Sequence, residues 1–81
     1  MDYVARTPRQ LGAILRACRK KREMTQDMVG SRVGVRQSQI SSIETRGADI
    51  TVGTLYRLLS ALDLELVLRN KQARDKRPTE W

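Results

Sequence analysis

From Leu11 onward the apolar positions fall at i, i+3, i+4 and i+7: Leu11, Ile14, Leu15 and Cys18, with Ala13 and Ala17 alongside. That spacing predicts an amphipathic helix. Thr7 suits the N-cap, Pro8 suits the first helical position, and Gln10 completes a capping box. A second, shorter helix is predicted from the N-cap Thr25 to Val33, with Asp27 in its first turn. A third runs from about Gln37 to Thr45, and Arg46-Gly47-Ala48-Asp49 reads as a loop. Thr51 caps a fourth helix, whose buried stripe is expected to be Val52, Leu55, Leu58, Leu59 and Leu62. Asp63 then stands where a helix-ending glycine would be easiest, in a geometry that Asp tolerates.

The period then changes. Leu64, Leu66 and Leu68 alternate with Glu65, Val67 and Arg69, which is a strand pattern. A lone strand leaves its backbone polar groups unpaired. Pairing with the same strand of a second copy, through Leu64, Leu66, Val67 and Leu68, would give a two-fold dimer. Two alternatives stay open: the segment continues the fourth helix, or it pairs with residues 2–6, where Tyr3, Val4 and Ala5 form either an arm or a disordered start. Residues 1–69 therefore read as one domain and 70–81 as a flexible polar tail broken by Pro78. Trp81, the only Trp, is either incidental or an anchor for a partner's pocket. The expected fold class is all-α, four to five helices, with one short C-terminal strand in an intersubunit sheet.

Gln26 to Ile43 organises the rest. Val29, Val33, Val35, Ile40 and Ile43 form an apolar wedge that locks helices two and three at the helix-turn-helix angle. Gly30 makes room for the crossing, and Gly34 can take the positive φ of the turn. Arg36, Gln37, Ser38, Gln39, Ser41 and Ser42 are left facing outward. Amides, hydroxyls and a guanidinium on an exposed helix are what a major-groove reader needs.

Charge supports a polyanionic partner: the 81 residues carry a net charge of +7, pI ≈ 10.5. Residues 1–24 hold seven basic and two acidic side chains, and Arg16, Arg19, Lys20, Lys21 and Arg22 crowd the end of the first helix. With no His and one Cys there is no metal ligand set, no intrachain disulfide and no nucleophile–base pair. No cofactor and no enzymatic activity are expected, and Cys18 reads as a small core residue. The apolar runs are too short to span a bilayer and no secretory segment is visible, so a cytoplasmic location is expected.

With those residues in hand, T25-Q-x-x-V-G-x-x-V-G-V-x-Q-S-x-I-S-x-I-E44 followed by T54-L-x-x-L-L-x-A-L62 resembles the Cro/repressor (XRE) helix-turn-helix family, over about residues 8–68. Within it, the lead into T7-P8-x-Q-L, the L64-E-L-V-L68 segment and the end in Glu80-Trp81 look most like HipB-type antitoxins. The resemblance implies a lambda-repressor-like fold and a bacterial, nucleoid-associated homodimer on palindromic double-stranded operator DNA. It also implies a HipA-like serine/threonine kinase toxin as partner, with Trp81 at the toxin contact. Gln37, Ser38 and Ser42 would face base edges, with Arg36 and Gln39 as further base contacts. Thr25, Gln26, Ser41 and Arg46 would hold phosphates. Alternatives stand beside these roles: Ser38 supports only the helix start, and Arg36 serves only the backbone. Glu44 reads as internal, because a carboxylate facing phosphate repels it. Gly30, where the family usually has Ala, and Thr45-Arg46 depart from the family pattern. Two rival functions remain: a phage or restriction-modification regulator without a toxin, and a protein-interaction adaptor without DNA.

Overall fold

A computed structural model of the chain describes residues 2–71. They form four helices: α1 (Pro8–Lys21), α2 (Gln26–Val33), α3 (Gln37–Arg46) and α4 (Val52–Ala61). The start signals act as the sequence suggests. The Thr7, Thr25 and Thr51 side chains accept from the third backbone N–H of their helices, at Gln10, Met28 and Thr54. The Gln10 side chain reaches one residue further back than a capping box requires, accepting from Arg6 N–H at 2.6 Å.

The helix ends are set by residues in the left-handed region. Gly34 ends α2 at φ 85°, and the N–H groups of Gly34 and Val35 both donate to the Gly30 carbonyl. α1 and α4 end in the same way on non-glycine residues, Glu23 (φ 58°) and Asp63 (φ 59°). At each, the following N–H closes five residues back: Met24 to Arg19 O at 3.1 Å and Leu64 to Leu59 O at 2.7 Å. Burial of Met24, and the packing of Leu64 on the core, offsets the strain at these two turns. No neighbour lies within 4 Å of a Cβ built at Gly34, so its substitution tests backbone conformation alone. Gly34→Ala is expected to lower stability by about 1–2 kcal/mol in denaturant unfolding, with an unchanged m-value.

Leu15, Cys18, Met24, Val29, Val33, Ile40, Ile43, Leu58, Leu59 and Leu62 make one core, each large side chain contributing roughly 1.5–3 kcal/mol by its burial. α1 packs on α3, and α2 packs on both α3 and α4. Cys18 is buried within this core. Val52 is not: it is 68% exposed at the first position of α4. Thr54 is buried in that turn instead, its hydroxyl bonded to Thr51 and Arg57. Ala13 and Ala17 are also exposed rather than part of the buried stripe.

The expected strand at Leu64–Leu68 is not formed. Residues 64–70 belong to no helix or strand, and the capped end of α4 excludes a continued helix. The physical reason is that a strand needs a ladder partner. Residues 2–5 lie across a groove from it, with Asp2 and Arg69 at 3.9 Å, yet no backbone hydrogen bond joins the two stretches among the described residues. Leu11 and Ile14 are half-buried because they floor this groove of about 610 Å³. The tail from residue 72 to Trp81 lies outside the described residues. Among the described residues no helix is long and apolar enough to cross a membrane.

Candidate nucleic-acid interface

α3 is anchored from one side and bare on the other. Ile40 and Ile43 are almost wholly buried, 1% and 3% exposed, and Val35 is half-buried in the turn. Arg36, Gln37, Ser38, Gln39, Thr45 and Arg46 are exposed, and Ser41 and Ser42 half-buried. The turn holds because α2 and the segment entering α3 meet backbone to backbone. A Cβ at Gly30 would lie 2.6 Å from the Val35 carbonyl oxygen, so the Ala usual in the family has no room here and the glycine departure is explained.

Beneath α3 lies a polar structure that apolar periodicity does not reveal. Glu44 is buried, and Arg19 meets it with both ends of its fork: Nε to Oε2 at 2.7 Å and Nη2 to Oε1 at 2.9 Å. The third nitrogen, Nη1, donates to Met24 O at 2.8 Å. The Glu44 hydrogen bonds hold the Arg19 guanidinium above its ordinary pKa, outweighing burial, which acts in the opposite direction. Arg19 is therefore not part of the basic surface run, and α1 ends with Lys20, Lys21 and Arg22 exposed. The inward reading of Glu44 agrees with this pairing.

The network continues outward. Gln26 Nε2 donates to Glu44 Oε1 at 3.1 Å, and Gln37 Nε2 donates to Gln26 Oε1. A hollow of about 520 Å³ sits at this place, with Lys20, Thr25, Gln26, Asp27 and Gln37 in its wall. The structure thus brings Thr25, Gln26 and Gln37 together and adds Lys20, which the sequence reading placed only within a diffuse basic run. Arg36 is the N-cap of α3 and makes no capping hydrogen bond through its side chain. Farther along, Arg46 Nη2 donates to Ser42 Oγ at 2.9 Å and Thr45 Oγ1 to Ser41 O at 2.8 Å, so Ser42 is partly committed within the helix. Leu66 and Val67 are exposed at the far groove, Leu68 is exposed outside its lining, and Leu64 is half-buried.

Two short helices at a glycine turn, the second apolar within and polar without, define a helix-turn-helix DNA-binding domain of the transcriptional-regulator kind. The family model described as Helix-turn-helix matches residues 15–68, and the chain belongs to that family. The Cro/repressor resemblance agrees with this assignment. An uncharacterised HTH-type transcriptional regulator of Sinorhizobium fredii is 41% identical over 58 residues, 72% of this chain. The chain spans only 30% of that regulator's length. Antitoxin HipB of Escherichia coli K12 is 26% identical over 74 residues, which cover 91% of this chain and 84% of HipB. A chain of the HipA-HipB-O2-O3 complex has the same fold, with a TM-score of 0.78 at 24% identity, covering 88% of this chain and all of that one.

Proposed function

We propose that this chain is a homodimeric, sequence-specific operator-binding repressor and an antitoxin that neutralises a HipA-like serine/threonine kinase. The observation that carries the DNA reading is the bare polar face of α3, held on a buried apolar face by Ile40 and Ile43. Gln37, with Arg36, Ser38, Gln39 and Ser42, reads base edges, and Thr25, Gln26, Ser41 and Arg46 hold phosphates. Two consequences differ in kind. Gln37→Ala is expected to cost about 1–3 kcal/mol on the preferred duplex and to relax the preference at one base pair. Arg46→Ala should weaken every duplex alike and reduce the salt slope by about one unit. Competition binding against duplexes altered one base pair at a time separates them, and a base-uniform loss for Gln37→Ala contradicts its role.

The groove and its apolar rim support the dimer. Tyr3, Leu66 and Val67 line the groove and are exposed, and Val4 and Leu68, next to them in the chain, are exposed as well, Leu68 at 86%; this is apolar surface that a second copy would cover. Leu66→Glu with Leu68→Glu is expected to leave the far-ultraviolet helical signal intact while sedimentation shifts from dimer to monomer. An unchanged sedimentation coefficient places the dimer contact elsewhere. The antitoxin reading is supported by the likeness to HipB over most of both chains. Co-purification of a kinase-sized partner from native cells tests it; duplex binding with no such partner favours a regulator without a toxin. Trp81, proposed at the toxin contact, is tested in that assay by Trp81→Ala.

A further inference from the structure

The network beneath α3 has a direction. Arg19 occupies both Glu44 oxygens and is itself pinned to Met24 O, so the carboxylate cannot swing. A carboxylate only accepts hydrogen bonds. Gln26 must therefore turn its Nε2 inward, as observed, which leaves its Oε1 facing outward. An outward oxygen calls for a donor, and Gln37 supplies its Nε2. Gln37 is then left with one free N–H beside a free carbonyl oxygen. That donor–acceptor pair matches the N7 and N6 edge of adenine, whereas guanine offers two acceptors at N7 and O6. A reversed Gln26 amide would offer Gln37 a donor. Gln37 would turn its own oxygen inward and present N–H groups alone, the guanine-compatible arrangement.

We propose that Glu44 is a specificity-positioning residue: it sets the direction of the Gln26 amide and thereby makes Gln37 a reader of adenine rather than guanine. This rests on the DNA-binding reading above. Glu44 contacts no base; it acts through Gln26.

The test uses the full chain and a pool of random-sequence duplexes about two helical turns long, with bound duplexes sequenced for the wild type, Gln37→Ala, Glu44→Gln and Gln26→Leu. The base pair whose preference Gln37→Ala abolishes is the one Gln37 reads, and adenine is expected there. Glu44→Gln can turn either end of its amide toward Gln26. It is expected to reduce the adenine-over-guanine ratio at that base pair about tenfold, within the range one bidentate contact supplies, and to leave the other positions unchanged. Gln26→Leu should do the same while keeping the Arg19–Glu44 pair, so it decides the matter if Glu44→Gln fails to fold. An unchanged ratio in folded Gln26→Leu, or a fall in base preference of equal size at every position (as distinct from the base-uniform fall in affinity expected from the lost Gln26 phosphate contact), overturns the proposal and leaves DNA reading intact. A wild-type chain that selects no duplex overturns both.

Discussion

Glu44→Ala is expected to destabilise the domain by about 3–5 kcal/mol, the cost of leaving one member of a buried ion pair without its partner. The Arg19 side chain is 9% exposed and that of Glu44 4%. Without the carboxylate, the guanidinium keeps only its bond to Met24 O, and its charge has no counter-ion in the core. A domain of this size has roughly 4–12 kcal/mol of total stability, so the variant should be largely unfolded near 37 °C. Arg19→Ala should cost a similar amount, because it abandons Glu44 and the Met24 carbonyl together. The pair Arg19→Met with Glu44→Leu removes both charges and keeps the volume, and should recover most of the loss. Guanidinium unfolding of the singles and the double checks this. If the double variant is as unstable as the sum of its parts, the ion pair is not the source of the effect.

The second large effect comes from α1. Gly12→Ala is expected to cost about 3 kcal/mol or more, although Ala is normally the better helix former by about 1 kcal/mol. A Cβ at position 12 would run into the Ile43 carbonyl, 3.1 Å from its carbon and closer still to its oxygen, with Glu44 O at 3.2 Å. These are backbone atoms and cannot rotate aside, so α1 and α3 must separate, and the Arg19–Glu44 geometry with them. Gly53, in α4, is the internal comparison: the nearest atom to its Cβ would be Thr51 Oγ1 at 3.9 Å. Gly53→Ala should therefore raise stability by about 0.5–1 kcal/mol. Thermal melts of the two variants should move in opposite directions.

Local signals accounted for much of this architecture. Thr7, Thr25 and Thr51 each cap where the sequence places them, and Gly34 turns where an αL residue is required. These features depend on neighbours within four residues, which a sequence displays directly. What escaped depends on tertiary partners. Arg19 looked like one of five surface cations because nothing local distinguishes it; its partner is 25 residues away. Gly12 carried no turn signal, since its reason is the α3 backbone across the interface. Val52 fits the stripe of α4 by period, yet it is Thr54 that the fold buries in that first turn. Alternation at Leu64–Leu68 specifies a pattern of faces and supplies no ladder partner. For the interface, residue type and position identified the outer face of α3. The ordered amide chain from Glu44 through Gln26 to Gln37 required coordinates.

The outer face of α3 is expected to meet duplex DNA. The most direct measurement is a titration of the ¹⁵N-labelled chain with its selected duplex, following each backbone amide. The largest shifts are expected at Thr25–Gln26 and from Arg36 to Ser42, with half-saturation moving steeply to higher duplex concentration as salt rises. Shifts confined to residues 64–69, or none at all on α3 at saturation, would contradict it.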